Sequence, residues 1–316
     1  ITTRLVGSEM CIRDRVMVTK QDGDTENPLD GGIFGLYAAS DITNVDGTAI
    51  VKKGTLIQKA TTGADGTAKF TADLPLGFSY DVKEVQAPEG YVRNTDDVYT
   101  FAFSYTNDKE AKQTFKHTFK NERVTAKISL QKQDKETKKA VPQGDATLEK
   151  AVYGLYARED IVHPDGATGV IYKAGEQVAT LTTDENGQAS VDGLYLGNYY
   201  VKEITPPTGY LADEEEHDLV CNYEGDLVAE VKRDCLSLEQ VMKQPFQIIK
   251  AANNGKTDAD LLKGAGFTAY LLSSLKVNED GSYDFDSAKP VVIGENGATE
   301  IFTCLLYTSD AADDLI

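Results

Sequence analysis

Apolar and polar positions alternate along most of this chain with the two-residue period of a β-strand. The alternating stretches are about five residues long, and glycine turns separate them, as at Asp46-Gly47 and Asn186-Gly187. This pattern predicts an all-β chain built of sandwiches. Helical periodicity is confined to the short segments 238–243 and 258–263, each with room for about two turns at most.

The same arrangement of residues recurs along the chain, which indicates tandem units. Each unit opens with a short strand that ends in a lysine, at Lys20, Lys132 and Lys250. The lysine has the strand phase of the apolar residues before it, so we predict that it points into the core. A second strand with a shared aromatic motif follows, as in Ile33-Phe34-Gly35-Leu36-Tyr37. The predicted units are residues 16–123, residues 124–244 and a truncated third unit at residues 245–303.

A glutamate recurs on the inward face of a later strand. It lies in Val82-Lys83-Glu84 of the first unit and in Val201-Lys202-Glu203 of the second, and a Pro and a Gly-Tyr pair follow it in both. Successive strand side chains point to opposite sides, so each glutamate shares a face with apolar neighbours. Burying a carboxylate without a partner is costly. We therefore expect both glutamates to have partners in the core.

A third polar residue, Asn121, shares a face with Phe115 and Phe119 on the predicted last strand of unit one. A buried lysine tends to lose its proton and a buried glutamate to gain one. Lys20 could then attack the side-chain carbonyl carbon of Asn121 while Glu84 polarises that carbonyl and moves protons, with ammonia as leaving group. This predicts an isopeptide bond between the first and last strands. The alternative is a buried Lys20–Glu84 ion pair that the Asn121 amide satisfies.

Unit two departs from this pattern at the position of the asparagine. The spacing to the next lysine points to Glu239 and the apolar phase points to Gln240. A glutamate would pair with Lys132 by a salt bridge or hydrogen bond, and a glutamine is one methylene too long for the same geometry. The sequence therefore favours bond formation in unit one over unit two. Lys250 has no partners in the chain, because unit three ends before its glutamate motif.

These residues together resemble the Cna B-type or SpaA-type prealbumin-like domain. The resemblance rests on Thr19-Lys20-Gln21-Asp22, the aromatic second strand, the Val-Lys-Glu motif with its Gly-Tyr, and the late asparagine. Such domains occur in surface adhesins and pilins of Gram-positive bacteria. The resemblance implies an immunoglobulin-like sandwich of about seven strands, autocatalytic isopeptide formation, and a stalk or shaft role in a protein that is exported to the cell surface and attached to the cell wall. It also implies that the partners are adjacent domains of the parent chain, and that the signal and anchor lie elsewhere.

Composition sets the limits of this interpretation. The chain has 316 residues, of which 41% are hydrophobic, so two or three domains can each bury a core. The formal net charge of −19 argues against nucleic-acid binding, which needs a basic surface. No apolar run approaches the roughly 18 residues of a membrane span. We expect no membrane span in this fragment.

Both ends of the chain look foreign to the protein. Residues 1–15 and 304–316 resemble the two translated orientations of a transposon-type sequencing adapter. The codons that can encode Met10 to Arg15 read Cys-Leu-Leu-Tyr-Thr on the reverse strand, as at Cys304 to Thr308. Without these tails, Cys221 and Cys235 remain. They could pair across a hairpin, but unpaired cysteines that pack as small apolar residues are favoured.

A binding module and an enzyme would each need features of their own in the sequence. A binding module would present loops to a host matrix protein or a glycan, and exposed aromatic loop residues would favour it. The tyrosines instead fall in predicted strands, at Tyr37, Tyr80, Tyr156 and Tyr199.

An enzyme would need a shared cleft with His or Ser, and no cofactor or metal is expected. His117, His163 and His217 are scattered and lack zinc-ligand spacing. The loop at Asp22 lacks the glycine and glutamate of a calcium-binding EF-hand and is interpreted as an ordinary solvated loop. We expect no turnover enzyme, only a reaction that happens once within the domain.

Overall fold

The structure is a computed structural model that describes residues 15–104 and 113–243. Beyond these it describes residues 248, 250–253, 262, 264–270, 275–286, 288, 290 and 300–302. Every described element is a β-strand, and two domains of the same design follow one another. The prediction of an all-β chain of tandem sandwiches is confirmed.

The first domain contains two facing sheets, in the strand orders β6-β1-β9 and β5-β2-β7-β8, and a small hairpin of β3 with β4. Apolar residues alternate with polar ones along these strands, so one face of each sheet turns to the shared core. The strands are β1 (Arg15–Asp22), β2 (Ile33–Ala38), β3 (Ile42–Thr43), β4 (Ala49–Val51), β5 (Leu56–Thr61), β6 (Thr67–Phe70), β7 (Phe78–Gln86), β8 (Val98–Phe103) and β9 (Thr114–Asn121).

The second domain repeats this arrangement, with sheets in the orders β15-β10-β18 and β14-β11-β16-β17 and a hairpin of β12 with β13. Its strands are β10 (Thr125–Asp134), β11 (Val152–Ala157), β12 (Ile161–Val162), β13 (Val170–Tyr172), β14 (Gln177–Thr182), β15 (Gln188–Leu194), β16 (Gly197–Thr205), β17 (Glu216–Cys221) and β18 (Glu230–Glu239).

The first and last strands of each domain lie side by side and run parallel. In the first domain Lys20 is opposite Phe119 and Asp22 is opposite Asn121. In the second domain Asp134 is opposite Glu239 in the same way. The residues that end the first strand are therefore brought next to residues about a hundred positions later in the chain.

Each sandwich encloses its own apolar core. The first core includes Val18, Phe34 and Tyr80, all fully buried, and the second is built in the same way around Tyr153 and Tyr199. A buried tyrosine keeps a partner for its hydroxyl, which Tyr80 donates to the backbone oxygen of Pro75 at 2.8 Å. Burial raises the pKa of Tyr80 to about 12.

The connection between the two domains is short, because β9 ends at Asn121 and β10 begins at Thr125. Between them Arg123 lies over the ring of Tyr195 at 3.9 Å and donates hydrogen bonds to the backbone oxygens of Gly193 and Leu194. These contacts tie the connection to the second domain. The boundary predicted after residue 123 falls in this connection and stays a prediction.

Residues 245–303, which were predicted to be a truncated third unit, contain short strands where they are described. These are β19 (Gly266–Thr268), β20 (Lys276–Val277), β21 (Tyr283–Asp284) and β22 (Glu300–Phe302). Strand β19 pairs with β22, and β20 pairs with β21. Lys250, which was predicted to point into a core, is exposed. Within the described residues its side chain is therefore in contact with water.

The helix predicted at 238–243 is wrong. Leu238 and Glu239 are the last residues of β18, because the parallel pairing with β10 continues to Asp134. The helix predicted at 258–263 lies outside the described residues apart from Leu262, and so do the tails 1–15 and 304–316 apart from Arg15, where β1 starts. None of the described segments forms a helix long and apolar enough to span a bilayer.

Candidate functional site

Lys20, Glu84 and Asn121 meet in the interior of the first domain. Their exposed fractions are 0%, 7% and 2%. The Lys20 Nζ lies 2.9 Å from Glu84 Oε1 and donates to Asn121 Oδ1. The Asn121 Nδ2 donates to Glu84 Oε1 at 2.9 Å and to Oε2 at 3.0 Å. All three side chains that the sequence singles out are thus within contact distance of one another.

The fold explains this meeting. Lys20 and Asn121 project from adjacent parallel strands, and Glu84 projects from β7 in the opposite sheet. Phe34 and Phe119 wall the site, with ring centroids 4.8 Å apart, and the Lys20 Nζ lies 5.8 Å from the Phe34 ring. The three polar groups therefore have one another as partners in an apolar surrounding.

Burial shifts the Lys20 amine towards its neutral form. Burial lowers the pKa of Lys20 below its ordinary value of 10.5, while the charge and hydrogen bond of Glu84 and the charge of Asp97 oppose that shift. The second oxygen of Glu84 also accepts the backbone N–H of Asn94 at 2.9 Å. The amine is therefore closer to its nucleophilic form than a lysine in water.

The contact that Glu84 makes with Asn121 differs from the expected one. The sequence led us to expect Glu84 at the side-chain carbonyl of Asn121. The structure instead places the amide nitrogen on the carboxyl group and turns the carbonyl oxygen to Lys20. Glu84 therefore contacts the amide nitrogen of Asn121 and not its carbonyl oxygen.

The second domain brings Lys132, Glu203 and Glu239 together at the corresponding place, with exposed fractions of 0%, 8% and 2%. The Lys132 Nζ lies 3.0 Å from Glu203 Oε1 and also contacts Glu239 Oε1. Gln240 lies outside this site and donates to the Glu136 side chain at 2.7 Å. The register of β10 with β18 explains why Glu239, and not Gln240, lies in the site, because Glu239 is opposite Asp134 just as Asn121 is opposite Asp22.

Hydroxyl groups complete the second site. Tyr153 stands where the first domain has Phe34, and its hydroxyl donates to Glu239 Oε1 at 2.5 Å and accepts from Lys132 Nζ at 3.1 Å. Among the described residues, Glu239 Oε2 is buried without a hydrogen-bond partner. Burial lowers the pKa of Lys132, although the hydrogen bond that Lys132 donates to Glu203 and the charges of Glu203 and Asp213 oppose the shift. This lysine lies between two carboxyl groups.

An aspartate and a tyrosine beside each site were missed from the sequence. Asp22 is 2% exposed and accepts the Tyr91 hydroxyl at 2.6 Å, and Asp134 accepts the Tyr210 hydroxyl at 2.9 Å. Burial alone would raise the pKa of Asp22, but hydrogen bonds from Tyr91 and two backbone N–H groups hold it below its ordinary value. The interpretation of Asp22 as part of a solvated loop is wrong. The available signal was that an aspartate recurs two residues after Lys20 and after Lys132.

The histidines are not all isolated. His163 lies with Asp22 and Asp165, and their ligand atoms are within 4.8 Å of one another, close enough to hold a metal ion. These atoms already have partners, since His163 Nδ1 accepts the backbone N–H of Asp165 and both carboxylates accept several protein donors. His117 stacks on Tyr99 at 4.8 Å and pairs with Asp97.

The two remaining cysteines, Cys221 and Cys235, are both buried and free within the part of the chain that the structure describes. Both belong to the core of the second domain. Burial raises the pKa of Cys235 to about 11. They pack as small apolar residues, as the sequence favoured.

Comparison with known proteins agrees with this architecture. The family described as "SpaA: Prealbumin-like fold domain" matches residues 14–118 and 126–234, together more than half of the chain. The collagen adhesin of Staphylococcus aureus is 28% identical over 221 residues, which are 66% of this chain and 17% of that protein.

The likeness to solved structures is one of fold. The Bacillus anthracis TIE protein is similar in fold, with a TM-score of 0.51, 22% identity, and coverage of 92% of this chain and 43% of that chain. The shaft pilin SpaA from Lactobacillus rhamnosus GG has a TM-score of 0.28, 19% identity, and coverage of 74% and 99%. This chain spans less than half the length of the adhesin and of the TIE protein.

Proposed function

This chain belongs to the family of SpaA prealbumin-like fold domains, and from that premise we propose that it is a structural stalk segment of a bacterial surface adhesin or pilin. Its first domain closes itself with an isopeptide bond between Lys20 and Asn121. The parent protein is exported and held at the cell surface, and the neighbours of this segment are further domains of the same chain. The observation that carries the proposal is the buried contact of Lys20, Glu84 and Asn121.

The reaction needs only groups that the site contains. The neutral Lys20 amine attacks Asn121 Cγ, so a Cγ–Nζ bond forms and the Cγ–Nδ2 bond breaks. Glu84 takes a proton from Nζ and gives one to Nδ2, which leaves as ammonia. One amine and one amide thus become one substituted amide and one ammonia, and Glu84 ends as it began. The protein acts on itself once, so it is not an enzyme with turnover.

The non-covalent alternative accounts less well for the site. A buried ion pair adds little stability, because desolvation of both charges offsets their attraction. An amide bond between Lys20 and Asn121 removes the charge of the amine from the interior and keeps the fold closed. The short distances from Glu84 to both nitrogens give the reaction its proton path.

The bond would change how the domain carries force. A pull along the chain enters at β1 and leaves at β9, the two strands that the bond joins. Force would then pass through a covalent link and not through the hydrogen bonds of the sheets. Stretching single molecules should give no extension from the segment between residues 20 and 121, and full extension of that segment would refute this role.

In the second domain we propose that Lys132 stays unreacted. A carboxylate resists attack by an amine better than an amide does, and Glu239 is held by Tyr153 as well as by the lysine. The cluster then serves as a polar tie between β10, β16 and β18. It also offers an internal control for the first domain.

Intact mass spectrometry of the full chain tests the proposal. The wild-type protein should be lighter than its sequence by one ammonia, and a digest should contain a peptide that joins Lys20 to Asn121. Glu84→Ala and Asn121→Ala should keep the full mass, while Glu203→Ala, the matched change in the second domain, should still lose the ammonia. A wild-type chain of full mass would refute the bond, and loss of a further water would show that Lys132 reacts with Glu239.

The relative named collagen adhesin favours a second candidate function, the binding of a host matrix protein or a glycan. In that case the sandwich surfaces of this chain would make the contact. Retention of the full chain on immobilised collagen or on a glycan array would support this function. A chain that binds to neither would leave the stalk role as the only proposed function.

A further inference from the structure

The connection between β7 and β8 closes one side of the Lys20 site. It includes the Gly90-Tyr91 turn, in which Tyr91 holds Asp22, and the backbone N–H of Asn94, which holds Glu84. The position of this connection therefore sets the position of the carboxyl group that moves protons.

Asp226, from the loop between β17 and β18 of the second domain, holds this connection at both ends. Its Oδ2 accepts the backbone N–H of Ala87 at 3.0 Å, and its backbone oxygen accepts the N–H of Arg93 at 2.7 Å. The Arg93 Nε lies 3.5 Å from the same Oδ2, an ion pair without hydrogen-bond geometry. Between these two points, Val92 packs against the core of the second domain.

A second segment of the second domain covers the loop after β1. Asp165 Oδ2 accepts the Thr25 hydroxyl at 3.0 Å and the Asn27 side-chain amide at 2.8 Å. Pro164 lies so close to Gly90 that a Cβ added to Gly90 would be 2.8 Å from the Cβ of Pro164. Gly90 also has a φ of +85°, so glycine suits this turn for two reasons.

In the second domain, the corresponding aspartate and Gly-Tyr turn are covered by a loop of the same domain, residues 135–151. There Gln143 donates to both oxygens of Asp134, and Ala146 lies against Gly209 as Pro164 lies against Gly90. The corresponding loop of the first domain, residues 23–32, is shorter.

The two domains also differ in sequence at the residues of the first domain that contact Asp226. Pro206 stands where the first domain has Ala87, and a proline has no N–H to donate. Ala212 stands where the first domain has Arg93 and offers no guanidinium group. The donors that meet Asp226 are therefore particular to the first domain.

We propose that the second domain supplies the missing cover of the first domain's site, and that Asp226 and Asp165 are positioning residues for the Lys20–Asn121 reaction. This inference rests on the proposed function. Asp226 fixes the connection that carries Asn94 and thereby Glu84, and Asp165 fixes the loop that follows Lys20. Bond formation in the first domain is then fast only after the second domain has folded against it.

The rate of bond formation in the newly made full chain tests this. Chains made in a short cell-free pulse are denatured at successive times and digested, and the fraction of the Lys20–Asn121 peptide is measured by mass spectrometry. Misplacing reacting groups costs up to about a hundredfold in rate, and we expect Asp226→Ala with Asp165→Ala to slow the bond about tenfold. Asp226→Asn keeps an acceptor for Ala87 and should stay within about twofold of wild type.

Two controls separate positioning from loss of folding. Glu185→Ala removes an exposed carboxylate from a turn of the second domain and should react at the wild-type rate. Hydrogen exchange should show less protection of the Asn94 amide in the double variant and unchanged protection of Leu130 on β10. A double variant that bonds as fast as wild type overturns this inference alone, whereas a wild-type chain that never loses ammonia overturns the proposed function.

Discussion

The replacement Asn121→Ala separates a covalent closure from a non-covalent cluster by its effect on stability. It leaves Lys20 and Glu84 as a buried pair, with 2.9 Å between Nζ and Oε1. The residues that the bond would join are 101 positions apart. For a closed loop of this length, the loop-entropy model gives about 4.7 kcal/mol of stabilisation. The lost hydrogen bonds of the amide add about 1–3 kcal/mol.

The sum, about 6–8 kcal/mol, is comparable to the whole stability of an ordinary domain, about 5–15 kcal/mol. It can be measured by hydrogen exchange of the β1 and β9 amides in the full chain over a series of urea concentrations. The unfolded bonded domain also exposes less surface, so the urea dependence of its unfolding free energy should be shallower than in the variant.

Glu239→Ala provides the matched measurement in the second domain. It leaves Lys132 paired with Glu203 and removes only non-covalent contacts with Lys132 and Tyr153. We expect it to cost about 1–3 kcal/mol. If Asn121→Ala costs no more than Glu239→Ala, and the urea dependence does not change, the first domain is held by hydrogen bonds and charges alone.

Two further outcomes follow from the site. The rate of ammonia release should rise with pH, because the neutral amine reacts. It should level off below pH 10.5, because burial lowers the pKa of Lys20. A time course of the mass at several pH values measures this rate, and a rise that continues past pH 10.5 would contradict the prediction. Tyr91→Phe removes the donor 2.6 Å from the buried Asp22 and should lower the unfolding free energy by about 1.5–3 kcal/mol. A urea titration that finds no loss would contradict that cost.

Local patterns in the sequence were sufficient to predict most of the fold and the residues at the centre of the site. Alternation and glycine turns indicated sandwiches, since a strand that is buried on one face needs apolar residues at every second position. The same period placed Lys20, Glu84 and Asn121 on inward faces. Three polar side chains on apolar faces, in separate strands, were enough to predict that they meet.

Long-range register explains what local patterns missed. Residues 238–243 have a helical pattern when they are considered alone. The pairing of β18 with β10, however, keeps the chain extended as far as Glu239. The same pairing places Glu239, and not Gln240, next to Lys132. The burial of Asp22 depends on Tyr91 and on His163 of the next domain. Nothing near Asp22 in the chain shows those neighbours, so its loop looked solvated.

The parallel course of the first and last strands decides how the protein grows when a repeat is added. Because β1 and β9 run the same way, as do β10 and β18, the chain enters each domain at one pole and leaves at the other. A strand of 8 residues, such as β1, advances roughly 26 Å. An antiparallel pair would have returned the chain to its starting pole and stacked the next repeat alongside. In this fold the number of repeats sets the reach.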